Sequence, residues 1–99
     1  MSASGTPIFK YLSLGAGGTG TIAFGQMVGQ VYVRNVGPNT AYMTDGTTPP
    51  TPSEGDGRIG VLPTRPVEMK KVAISDLSFA MAGGESAEIE AVGVPASGG

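Results

Sequence analysis

The sequence predicts an all-β protein: a small antiparallel β-sandwich or barrel of about seven to eight short strands, with flexible termini. Three observations predict it. Apolar residues recur at every second position in short runs, as in Leu77, Phe79 and Met81 or Ala87, Ile89 and Ala91. Gly, Pro and Asn clusters interrupt those runs every few residues. No window holds helical spacing with caps for three turns.

The chain is organised around Val31 to Thr44, VYVRNVGPNTAYMT. Two strand-like arms flank Asn35, Val36, Gly37, Pro38 and Asn39, residue types that turn a backbone cheaply, so a hairpin is expected here. Val31, Val33, Ala41 and Met43 would face the core, and Tyr32, Arg34, Tyr42 and Thr44 solvent or a neighbour, although the pattern equally allows the tyrosines to face in.

Taken in order, residues 1–7 read as a flexible tail and 8–94 as one domain. Ile8 to Leu14 is a first strand, with Ile8, Lys10, Leu12 and Leu14 on one face and Phe9, Tyr11 and Ser13 on the other. Gly15 to Gly20 is expected to be a loop, Thr21 to Phe24 a short strand, and Gly25 to Gly29 a break. After the hairpin, residues 45–57 form a long loop with three prolines at Pro49, Pro50 and Pro52. Arg58 to Leu62 is a brief strand and Pro63 to Pro66 a stiff connector. Val67 to Ile74 begins in period two and then slips phase, so a β-bulge is expected near Lys70 and Lys71. Leu77 to Met81 alternates strictly, Gly83–Gly84 makes a hairpin turn, and Ser86 to Val94 is the last strand. Residues 95–99 read as a second flexible tail.

Composition narrows the function. With 8 acidic and 6 basic residues spread without runs, the net charge of −2 offers no footprint for nucleic acid or an anionic membrane. There is no Cys and no His, so thiolate nucleophiles, disulfides, imidazole bases and the usual zinc ligands are missing. No apolar stretch approaches a membrane span, and no basic start precedes an apolar core, so no secretory signal is expected.

The motifs that resemble chemistry lack its context. Gly15, Gly17 and Gly20 fit a dinucleotide-loop spacing, but TIAFGQMVG follows where a helix is needed. Asp45, Glu54 and Asp56 match no calcium loop, and Glu88 and Glu90 are explained as the polar side of an outer strand. No catalytic residue, metal site or cofactor is expected, and the chain reads as non-enzymatic. Arg58, Arg65, Lys70 and Lys71 are the loose basic grouping, suited to a solvated or subunit-contacting face.

The order NVGPNTAYMTDG, a variable Pro/Thr loop, LPTRPVEM and then ISDLSFAMAGGESAEIEAVG resembles small β-sandwich virion proteins of tailed phages, the head-decoration or capsid-cement type. The resemblance spans about Gln30 to Gly93. It implies a non-enzymatic structural protein that binds and stabilises the capsid surface, often as a homo-oligomer, in a virion assembled in the host cytoplasm. Its partners would be the major capsid protein or other virion subunits, with no nucleic acid and no membrane. Tyr32, Arg34, Tyr42, Lys70 and Lys71 are the candidate subunit contacts. Two alternatives share the pattern: a tail, baseplate or fibre-attachment component, or a carbohydrate-binding module using Tyr11, Tyr32 and Tyr42.

Overall fold

A computed structural model describes residues 6–50 and 59–95. The expected flexibility of residues 1–5 and 96–99, and most of the expected 45–57 loop, lie outside the described residues. The protein is all-β and antiparallel. Its six strands are β1 (Ile8–Leu14), β2 (Thr19–Pro38), β3 (Ala41–Asp45), β4 (Ile59–Val61), β5 (Val67–Met81) and β6 (Ala87–Pro95). They form one sheet in the order β1-β6-β2-β5-β3-β4.

Six strands appear where the sequence suggested more, because β2 runs straight through the break expected at Gly25–Gly29 and β5 joins the runs Val67–Ile74 and Leu77–Met81 into one strand. β2 is 20 residues long and β5 is 15. Both carry irregularities where they cross. The pairing steps from Ala23–Asp76 to Val28–Ile74, with the excess on β2, and then to Gln30–Lys70, with the excess on β5. Gly25 (φ 82°) and Lys71 (φ 57°) adopt the left-handed backbone that such bulges use. The bulge expected near Lys70 and Lys71 is therefore present, and its partner lies in the glycine-containing segment expected to end a strand.

At these bulges the sheet folds over on itself. One flank consists of β1, β6, the C-terminal half of β2 and the N-terminal half of β5. The other consists of the N-terminal half of β2, the C-terminal half of β5, β3 and β4. The inner faces meet in a core that includes Leu14, Ile22, Phe24, Val28, Val31, Val33, Met43, Val61, Leu77, Phe79, Met81 and Ile89, with Ala41, Ala87 and Ala91 between them. The contact between flanks is close. A methyl group on Gly93 of β6 would lie 2.8 Å from the Phe24 ring, and one on Gly20 of β2 would lie 3.0 Å from Leu12 of β1. Glycine is required at Gly93 because the opposing ring occupies the place of its side chain.

The expected hairpins are corrected by this arrangement. β2 pairs with β5 and β6, and β3 pairs with β4 and β5, so the two arms around Asn35–Asn39 are not hydrogen-bonded to each other. The turn residues carry the chain from one flank to the other. Asn35 is buried, donates its amide to the carbonyls of Asn39 and Val61 at 2.7 Å each, and accepts from the Gly37 N–H at 2.7 Å. Its side chain thus both forms an Asx-type turn and ties the end of β2 to β4 on the opposite flank. Gly83–Gly84 likewise forms a tight turn, with Glu85 N–H donating to the Ala82 carbonyl at 3.0 Å, but joins β5 to β6 across the flanks. The glycine loop after β1 lies beside it, Gly17 N–H donating to Glu85 and Gly18 accepting from Met81, and its last residues, Thr19 and Gly20, already belong to β2.

Candidate functional site

The alternation of β1, β6 and β2 sends one set of side chains into the core and the other outward. Register then assembles the outward set into rows. Phe9, Val92, Tyr32 and Glu68 stand side by side across β1, β6, β2 and β5. The next row holds Tyr11, Glu90 and Arg34, and a third begins with Ser13 and Glu88. Phe9 is 75% exposed, Tyr11 59% and Tyr32 41%, whereas Val31 and Val33 on either side of Tyr32 are fully buried.

These side chains line a shallow groove of about 410 Å³ whose walls are the rings of Phe9, Tyr11 and Tyr32 and whose end is charged. Arg34 Nη2 pairs with Glu90 Oε1 at 3.1 Å, with both side chains about half exposed (55% and 50%). Such a pair orients its two groups but contributes under about 1 kcal/mol to stability. The Tyr11 hydroxyl donates to Glu88 at 2.8 Å, which raises its pKa above the ordinary value of 10.0 because the neighbouring carboxylate stabilises the protonated phenol. Gln30 donates to Glu68 at 3.3 Å at the far side. The face therefore presents apolar rings held in place by polar neighbours, with donors and acceptors at its rim.

Of the candidate contacts named from the sequence, Tyr32 and Arg34 lie on this face, and Lys70 pairs with Gln30 at its border. Lys71 sits in the bulge and is exposed. Tyr42 lies elsewhere, half-buried on the outer face of the other flank, its ring 4.0 Å from where a methyl on Gly60 would be. Tyr11, considered only for sugar binding, joins the face, and Phe9, singled out for nothing, is its most exposed member.

A second cleft of about 500 Å³ opens between the flanks near the bulges, lined by Met43, Ile59, Met69, Val72 and Leu77, with Asp45 as its one ionisable wall residue. Among the described residues no group of three His, Cys, Asp or Glu could hold a metal ion.

Comparison of the chain with family models, with curated proteins and with solved structures found no match.

Proposed function

We propose that the protein is a non-enzymatic structural protein of a phage virion, a head decoration or cement protein that binds and stabilises the capsid surface. The observation that carries this reading is the outer face of the first flank. Three large aromatic side chains stand exposed in register on a rigid sheet, rimmed by Arg34, Glu90 and Glu88. Exposed apolar clusters with polar rims are the usual chemistry of protein contacts, and aromatic and Arg residues are their strongest anchors. The resemblance in residues 30–93 supplies the class of partner: the major capsid protein or another virion subunit. Repetition over a shell then makes modest single contacts strong in sum.

The test is co-sedimentation of the purified protein with expanded capsids that lack it. The reading expects saturable binding that Phe9→Ala and Tyr32→Ala each weaken by about tenfold, the scale of a buried aromatic anchor. No binding to such capsids would overturn it.

A carbohydrate-binding role is the second reading, and one observation favours it. Phe9, Tyr11 and Tyr32 flank a single groove beside an Arg–Glu pair, and sugars stack on aromatic rings while bonding to such polar neighbours. Glycan binding lost in Tyr11→Ala and Tyr32→Ala, with capsid binding absent from the start, would replace the first reading with this one.

A further inference from the structure

The two edges of the sheet are unequal. β4 is three residues long and is followed by Pro63 and Pro66, so it offers little backbone for another strand to join. β1 is seven residues long, contains no proline, and pairs only with β6. Among the described residues no strand covers its other side. A long apolar edge with free N–H and C=O groups is a template for strand addition.

We propose that the occupant is β1 of a second copy of this chain, added antiparallel about a two-fold axis through Tyr11. This names the contact within the homo-oligomer that the capsid reading expects, yet it does not need a capsid.

The register follows from overlap and charge. With Tyr11 opposite its own copy, every residue of β1 is paired: Ile8 with Leu14, Phe9 with Ser13, and Lys10 with Leu12. Outward residues then meet outward residues, so the aromatic faces of the two copies join into one. The neighbouring outward-matched register, Phe9 opposite Tyr11, sets Lys10 against its own copy, and like charges directly opposite are destabilising. The two-fold register places no pair of like charges opposite each other along the new seam, because Lys10 is the strand's one charged residue. Row continuity gives Arg34, Glu90 and Tyr11 on one side of the axis and the same series reversed on the other.

The seam is a short one. Strand addition in the plane of the sheet covers the backbone edge of β1 and the flanks of Phe9 and Tyr11, which are 75% and 59% exposed and stay on the joined outer face. The contact therefore falls below the standard interface size of about 1,200–2,000 Å², and the dimer is expected to form at high concentration.

The chain has no cysteine, so single-cysteine variants report the contact directly. Light scattering of the full chain is expected to show twice the 9.9 kDa mass at high concentration. Mild oxidation is expected to link Tyr11→Cys into a covalent dimer, because directly opposite strand residues fall within disulfide reach. Lys10→Cys, two positions out of step with its copy, and Ile59→Cys on β4 are expected to link far more slowly. Tyr11→Lys should weaken dimerisation by about tenfold or more, whereas Tyr11→Phe, which loses only the bond to Glu88, should not. A mass that stays at one chain at the highest soluble concentration would overturn the inference, as would a dimer that links at Ile59→Cys and survives Tyr11→Lys. Capsid binding is read separately. A β1 dimer that ignores capsids keeps this inference and removes the capsid reading, and a monomer that pellets with capsids does the reverse.

Discussion

The two flanks are built from halves of the same two strands, yet their outer faces have been finished differently. On the second flank the outward positions are small or polar apart from the half-buried Tyr42, and some are covered. Ser78 is buried on that side, sharing a 3.0 Å bond with the Thr21 hydroxyl and donating to the Gly46 carbonyl at 2.8 Å. Ala80 is closed off between Thr19 and Tyr42 in register. On the first flank the equivalent positions hold Phe9, Tyr11 and Tyr32, which remain open to water. Both faces solve the same folding problem on the inside, so the difference outside is not required by the core. On the function proposed above, the first flank is the side offered to a partner.

The largest effect is expected where the flanks touch. Gly93→Val would force side-chain atoms into the Phe24 ring and Val28, both within 3 Å of the first carbon added. Overpacking of this kind costs about 1–3 kcal/mol or more, which lowers the melting temperature of a domain this size by roughly 10 °C or more. Thermal unfolding followed by circular dichroism checks it. If Gly93→Val melts as the wild type does, the two inner faces are not packed against each other as described.

Next comes the tie between the flanks. Asn35→Leu keeps the branching of the side chain but leaves the Val61 and Asn39 carbonyls and the Gly37 N–H without their partner. Buried polar groups left unpaired cost about 1–3 kcal/mol each, so a loss of about 2–4 kcal/mol in urea unfolding is expected, softened where water reaches the turn. A change below about 0.5 kcal/mol would mean that the turn holds itself without this side chain.

The smallest effect concerns the open face. Tyr11 has a raised pKa in the folded protein, so the folded state holds its proton more tightly than the unfolded chain does. The stabilisation is complete below the ordinary value of 10.0 and fades as pH rises through the folded value. A melting temperature that declines slightly less in Tyr11→Phe than in the wild type between about pH 9 and 11 is the expected outcome. Parallel declines would show that the hydroxyl and Glu88 do not interact in solution.

Much of the fold was legible in the sequence because period-two patterning is a local signal. Val31 and Val33 inside with Tyr32 and Arg34 outside, Ala87, Ile89 and Ala91 inside with Glu88 and Glu90 outside, and the phase slip at Lys70–Lys71 all follow from alternation alone. Pairing partners are not local. Asn35 to Asn39 has the composition of a hairpin turn, and nothing in those residues reveals that Asn35 bonds to Val61, 26 positions away. The glycines at Gly25 and Gly29 read as strand breaks because a bulge and a break use the same residue. The site was partly legible for the same reason. Tyr32 and Arg34 stand out as large outward residues, but Phe9 belongs to a strand apolar on both sides, and only the order of strands reveals which side is open. Tyr42, with the same local pattern as Tyr32, falls on the other flank because β3 pairs with β5 rather than with β2.

The central claim is that the outer face of the first flank serves association and not folding. The most direct test is the double variant Phe9→Ser with Tyr32→Ser, measured for stability by urea unfolding and for association by light scattering and capsid co-sedimentation. The account predicts stability within about 1 kcal/mol of the wild type, as expected for exposed positions, together with association weakened by about tenfold or more. Unchanged association alongside a large loss of stability would contradict it, and would make those rings part of what holds the fold.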